Sequence, residues 1–164
     1  MRAWPNEMTM NITDFLSPQH AIVDLRAADK PQLLRELARR AAPVLGLPAD
    51  QISDALLKRE ALGSTGTGGG IAIPHARLAG VARPFGMLVS LARAIDFDAI
   101  DGRPVDIVCL LLLPTKSQGE QLNALACAAR TLRDSDALRN IRHAGEDAAL
   151  YRAAAAEAAK PKSA

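Results

Sequence analysis

Apolar residues recur along this chain with two different periods, and the change from one to the other divides it into elements. Residues 11–16 form a short helical turn by composition, and Ala21-Ile-Val-Asp-Leu25 has strand character. From Lys30 to about Ala42 the apolar positions Leu33, Leu34, Leu37 and Ala41 fall at helical spacing, with Arg35, Glu36, Arg39 and Arg40 mostly elsewhere. Asp29 and Pro31 are the residue types expected at the start of such a helix. Gly46-Leu-Pro48 breaks the chain. Ile52, Ala55, Leu56 and Leu62 make the apolar stripe of a second helix, Arg59 shares the side of Ile52 and Leu56, and Gly63 stands where that helix should end.

Three apolar runs then read as strands: Gly70 to Pro74, Phe85 to Leu91, and Val105 to Leu113. The last is apolar at nearly every position, so it belongs at the centre of a sheet covered on both faces. Asp101-Gly102 marks a turn just before it. The rest is helical in pattern. Leu122, Leu125, Ala126, Ala129 and Leu132 share one face over Gly119 to Arg133, Ser135 is placed to cap a helix containing Leu138 and Ile141, and Asp147 to Ala159 is alanine-rich. Strands mixed with helices, without repeat or linker, predict one α/β domain over residues 16–159. Residues 1–15 read as a loose arm and 160–164 as a polar tail.

Composition narrows the function classes. Of 164 residues 49% are hydrophobic but only 3% aromatic, so the core is built from Leu, Ile, Val and Ala. The net charge is +2 and the basic residues are scattered, which predicts an ordinary solvated surface and no nucleic-acid partner. Cys109 and Cys127 lie inside apolar runs with no CxxC or zinc spacing, so they read as buried free thiols of a reducing compartment, with no metal and no cofactor implied. The N-terminus lacks a signal-peptide core, and the apolar run Val105 to Pro114 is far too short to span a bilayer. A cytoplasmic protein without membrane insertion is expected.

Gly63-Ser-Thr-Gly-Thr-Gly-Gly-Gly70 superficially resembles a nucleotide loop. No lysine follows any of these glycines, which excludes a P-loop, and Ile71 occupies the third glycine position of a dinucleotide fingerprint. Both motifs also run strand, loop, helix, whereas the order here is helix, loop, strand, so no helix N-terminus follows to hold a phosphate. A plain flexible connector is the alternative.

Pro74 cannot donate to a strand ladder, so pairing weakens there and His75 falls at the carboxyl end of an interior strand. Ligand crevices of open α/β sheets lie at that edge. A neutral imidazole, with an ordinary pKa of about 6.5, is a competent nucleophile that can accept and later release a phosphoryl group. Such a group needs positive charge and aligned donors around its oxygens more than it needs a metal. On these residues alone a structural histidine is the competing reading. His20 and His143, in polar surroundings, read as surface residues.

The string "REALGSTGTGGGIAIPHARL", Arg59 to Leu78, closely resembles the active-site signature of phosphotransferase-system IIA components of the fructose/mannitol type, and within that group the nitrogen-regulatory branch. "AIDFDAIDGRPVDIVCLLLLP", Ala94 to Pro114, is a second matching block, and the resemblance runs from about Leu16 to Tyr151. It implies a three-layer α/β/α sandwich with a mixed sheet flanked by helices. It implies that His75 is phosphorylated at Nε2 by an HPr-like histidine phosphocarrier, with enzyme I upstream. It makes Arg59 the phosphate-stabilising arginine, the alternative being a surface arginine paired with Glu60 or another neighbour. Thr67 and Gly68, inside the signature, become candidate binding residues. Family members often carry a second histidine where "SQGEQLNALA" places Gln121. Glutamine can donate an amide N–H to a phosphate oxygen but carries no charge, or it is simply exposed.

These residues predict a phosphorylatable regulatory protein at the end of a phosphorelay. The sequence contains no IIB-like domain and no membrane IIC domain, and Cys109 lies in too continuous an apolar strand to serve as a phosphoryl acceptor. Regulated partners in the family include potassium-transport and sensor-kinase proteins. Two rivals stand beside this reading: a sugar-type IIA that passes phosphate to a separate IIB, and a protein-binding module whose histidine is never phosphorylated.

Overall fold

The computed structural model describes residues 10–116 and 118–158; the expected arm and tail lie largely outside them. After a single 3-10 turn at Ile12–Asp14 come β1 (Leu16–Leu25), α1 (Lys30–Leu45), α2 (Ala49–Ala61), β2 (Gly66–Gly68), β3 (Ile71–Ala72), β4 (His75–Arg77), β5 (Phe85–Ile95), β6 (Val105–Leu113), α3 (Gln118–Arg133), α4 (Ser135–His143) and α5 (Asp147–Ala158). The strands form one mixed sheet in the order β1-β5-β6-β3-β2, with β4 also on β6. β1 is parallel to β5, β3 and β4 are parallel to β6, and β5 is antiparallel to β6.

The sheet is central because β6 is apolar on both faces. Val108, Leu110 and Leu112 face a core shared with Leu33, Leu34, Leu37, Ile52 and Leu56 of α1 and α2. Ile107, Cys109, Leu111 and Leu113 face a second core shared with Ala124, Cys127, Ala128, Ile141 and Leu150 of the three C-terminal helices. The period-two alternation of a strand thus divides one continuous apolar run between two helical layers, and the expected α/β/α sandwich is observed. α1 begins as its sequence predicts: the Asp29 carboxylate accepts from the Gln32 backbone N–H at 2.9 Å, and Pro31 occupies the first turn.

Four expectations need correction. The strand expected over 70–74 is split, since β3 ends at Ala72 and pairing with β6 resumes at His75. The glycine segment is no open loop, because Gly66–Gly68 pairs antiparallel with β3 as a hairpin. Arg142 holds the tip of that hairpin, donating to both Asp106 carboxylate oxygens at 3.0 and 2.9 Å and to the Gly69 carbonyl at 2.6 Å. Glycine is required at position 70, where φ is +81° and a Cβ would stand 2.5 Å from the Arg142 guanidinium and 2.7 Å from Asp106.

The third correction concerns the face of α3. Gln121, Ala124, Cys127, Ala128, Thr131 and Leu132 are buried, while Leu122 is 67% exposed and Leu125 half-buried. The helix lies on the sheet mainly through small side chains, which permit close approach, with Leu132 buried at its end and Leu122 and Leu125 left for the rim. Leu62, expected in the stripe of α2, is likewise 85% exposed. Fourth, Asp134 rather than Ser135 caps α4, accepting from Ala137 N at 2.9 Å.

Both cysteines are buried and neither is in a disulfide, as their apolar settings predict. Burial, with a smaller contribution from nearby Cys127, pushes the Cys109 thiol up to about 12. The thiolate is the reactive form and both side chains are buried, so neither thiol should react with a disulfide reagent at pH 8 in the folded protein, and both should react once it is denatured. Rapid labelling of the native protein would contradict this packing.

Candidate functional site

Pro74 supplies the local rule from which the site grows. Its nitrogen has no hydrogen, so the chain leaves the ladder between β3 and β4, while its carbonyl still accepts from Leu111 N at 2.9 Å. The preceding Ile73 donates its N–H to the Thr65 carbonyl at 3.0 Å and turns its own carbonyl toward His75. His75 Nδ1 lies 2.8 Å from Ile73 O. A carbonyl only accepts, so Nδ1 carries the proton and donates it. The lone pair of the neutral ring is therefore on Nε2, directed away from the backbone.

Arg59, in the last turn of α2, meets that nitrogen. Its Nε lies 3.4 Å from His75 Nε2, and its Nη1 donates to the Gly63 carbonyl at 2.9 Å. The guanidinium is thus tethered at one edge and aimed at the histidine with the other. Partial burial is the main cause that lowers the His75 pKa below 6.5. The charges of Arg59 and Arg77 act in the same direction, against the Ile73 hydrogen bond and the charge of Glu60. The ring stays neutral, and its Nε2 available, at lower pH than an ordinary histidine.

The turn after α2 is held by Glu60, a residue sequence reasoning considered only as a partner of Arg59. Its side chain is nearly buried, and it accepts from Thr65 N at 2.8 Å, Thr65 Oγ1 at 2.6 Å and Lys30 Nζ at 3.2 Å. Lys30 also lies 3.3 Å from Asp98 and 4.9 Å from the Phe97 ring centroid. A buried carboxylate with three donors, one of them a cation, is satisfied, and it pins the loop whose Gly63 carbonyl holds Arg59.

Around His75 lies an open cleft of about 680 Å³ between the end of α2 and the start of α3. Lys58, Arg59 and Arg77 line it with positive charge, and Leu62 and Leu125 give it an apolar rim. Lys58 and Arg77 make no ion pair among the described residues. Arg77 was missed, although it stands two residues after His75 and so on the same face of one strand. Lys58 had no comparable signal, because its position depends on how α2 meets the sheet.

Gln121 also lines the cleft, but it is buried and its amide nitrogen is engaged: Nε2 donates to Pro114 O at 2.7 Å and to Lys116 O at 3.4 Å. Both partners are acceptors, which orients the amide and leaves its oxygen, not its N–H, for the cleft. Thr67 and Gly68 are not brought to His75. They sit at the level of Ile107 on β6, whereas His75 pairs with Leu111, four residues or about 13 Å further along the strand. Their neighbours are Ile71, Ile100 and Asp101. His143 is exposed, with Nδ1 at 2.8 Å from the Arg139 carbonyl, and His20 packs edge-on against Phe85. No group of three or more potential metal ligands occurs among the described residues, nor is any helix there long and apolar enough to cross a membrane.

Residues 14–155 match the family model described as phosphoenolpyruvate-dependent sugar phosphotransferase system, EIIA 2. A nitrogen regulatory protein of Bradyrhizobium diazoefficiens is 42% identical over 142 residues, covering 87% of this chain and 93% of the relative. That of Escherichia coli is 36% identical over 147 residues, covering 89% and 90%. The crystal structure of nitrogen regulatory protein IIA-Ntr from Neisseria meningitidis superposes with a TM-score of 0.82 at 29% identity, covering 87% of this chain and 98% of that one. The chain belongs to the EIIA 2 family of the phosphoenolpyruvate-dependent sugar phosphotransferase system.

Proposed function

We propose that this protein is the regulatory IIA component of a nitrogen-related phosphotransferase system, phosphorylated on His75 by an HPr-like histidine phosphocarrier that enzyme I charges. The observation that carries the reading is the pair of contacts on one ring: Nδ1–H on the Ile73 carbonyl and Nε2 facing Arg59. The Nε2 lone pair attacks phosphorus as the bond from phosphorus to the carrier's imidazole breaks, and the carrier's ring leaves with that electron pair. His75 keeps its Nδ1 proton, and the Ile73 carbonyl stabilises the positive charge that develops on the ring. Arg59 moves its donor from Nε2 to a phosphoryl oxygen, with Arg77 and Lys58 adding charge.

The output is a change of surface. Phosphate brings about 1.5–2 negative charges to a cleft lined by cations and rimmed by exposed Leu62 and half-buried Leu125. Partners that read this patch, such as potassium-transport or sensor-kinase proteins, then bind one form in preference to the other. Gln121 acts here by holding the turn after β6 at the cleft's edge, since its N–H groups are occupied.

Incubation with phosphoenolpyruvate, enzyme I and the phosphocarrier, followed by intact mass, tests the reading. One phosphoryl group is expected on the parental, His20→Ala and His143→Ala proteins, and none on His75→Ala. Acid-labile label persisting on His75→Ala would remove the assignment. A chase with a cognate IIB cysteine distinguishes the sugar-type rival, because a regulatory protein passes no label onward.

Arg59→Ala removes a transition-state donor and should slow phosphoryl acceptance about a hundredfold. It also removes one of the charges that depress the His75 pKa. The acid limb of the rate profile, lying below pH 6.5 in the parent, should move upward in this variant. NMR titration of the ring and pH-dependent kinetics measure both effects. A parental rate would leave Arg59 a tether only.

Gln121→Ala deprives the Pro114 carbonyl of its 2.7 Å donor. The expected cost is about 1–2 kcal/mol of stability in denaturant unfolding, with a smaller loss of rate than Arg59→Ala. A loss of rate equal to that of Arg59→Ala, at unchanged stability, would show instead that residue 121 contacts the phosphoryl group.

A further inference from the structure

Basic residues that are scattered in the sequence are gathered in the fold. Arg26 after β1, Arg35 and Arg39 on α1, and Arg93 near the end of β5 line an open cleft of about 1010 Å³. Two carboxylates reach it, and both are engaged. Glu36 accepts from Arg39 and Arg40, and Asp96 accepts from Asp98 N at 3.0 Å. The side chains of Arg26, Arg35 and Arg93 make no hydrogen bond or ion pair among the described residues.

One wall of the cleft is an uncovered strand edge. The β1–β5 ladder stops at Leu25 opposite Leu91, while β5 runs on to Ile95. On the other side its register with β6 shifts: Ser90 is opposite Ile107 and Ile95 is opposite Val105. β5 therefore bulges outward over Ala92, Arg93 and Ala94, all exposed, and no described strand flanks them on the β1 side. Such an edge offers backbone N–H and C=O groups to an added strand.

The geometry points to this cleft as the docking site for an extended acidic segment of a partner protein, laid along Ala92–Ala94 with its carboxylates on the arginines. Spacing favours a peptide over a phosphate chain. Arg35 and Arg39 are four residues apart on a helix, about 6 Å along its axis. Alternate side chains of an extended strand repeat at about 6.6 Å, so acidic residues at every second position match Arg35 and the Nη1 edge of Arg39, whose Nε and Nη2 hold Glu36. Nucleic acid or polyphosphate would meet the arginines but leave the edge carbonyls facing anionic oxygens. The site stands at the level of Val105 on β6, about 20 Å along the strand from Leu111 and His75. That exceeds the screening length at physiological salt, so a partner held here stays bound whichever form His75 is in. The inference does not rest on phosphorylation of His75.

The probe is a short synthetic peptide alternating Glu with Thr, titrated against the full chain, with its Gln-for-Glu counterpart as control. The Glu peptide should bind in a salt-dependent manner, and the Gln peptide about tenfold more weakly. The Arg35→Glu/Arg93→Glu protein should lose a similar factor yet still accept a phosphoryl group at the parental rate. The amides of residues 92–94 should exchange more slowly in the complex. Equal binding of the two peptides, or none, overturns the proposal. So does arginine-dependent binding of inorganic polyphosphate that outcompetes the peptide without protecting those amides. Arg93→Val that self-associates, in a chain deaf to the peptide, would assign Arg93 to guarding a bare edge instead.

Discussion

The site depends on one missing hydrogen. Because Pro74 has no N–H, the strand that would otherwise run unbroken along β6 divides, and the Ile73 carbonyl turns to the ring of His75. That single acceptor selects the tautomer and directs the Nε2 lone pair into the cleft. A continuous strand would engage the carbonyl in its ladder and leave the ring free to adopt either tautomer. The tight hairpin before it, with Gly70 between Arg142 and Asp106, fixes where the strand begins.

Electrostatics at the site is balanced rather than simply positive. Burial and the charges of Arg59 and Arg77 lower the His75 pKa and keep the ring neutral, and the same two arginines make the cleft positive. Glu60 opposes both effects, yet its carboxylate ties Thr65 and Lys30 together and so holds the loop that carries Gly63, the tether of Arg59.

The two ends of the sheet serve different surfaces. At the carboxyl end of β6 a histidine lies among cations beside the exposed Leu62. At the other end arginines from three elements border an uncovered edge of β5.

What the sequence determined by itself was whatever depends on neighbours in the chain. The capped start of α1, the both-faced apolarity of β6 and the Pro-His step are local patterns, and each was legible, as was the order of a helix before the glycines and a strand after them. The signature from Arg59 to Leu78 named the family for the same reason. Only the tertiary structure decided the rest, because it depends on which surfaces meet. Leucine outweighs alanine in any periodicity, yet α3 lies on the sheet through Ala124, Cys127 and Ala128 and leaves Leu122 in solvent. Gln121 is therefore buried with its N–H groups already engaged. Thr67 and Gly68 lie near His75 in the chain but at another level of the sheet, since the hairpin reverses direction between them. Charges far apart in sequence carry no mutual signal, so Lys58 entered one cleft, and the four arginines another, only when helices packed on strands.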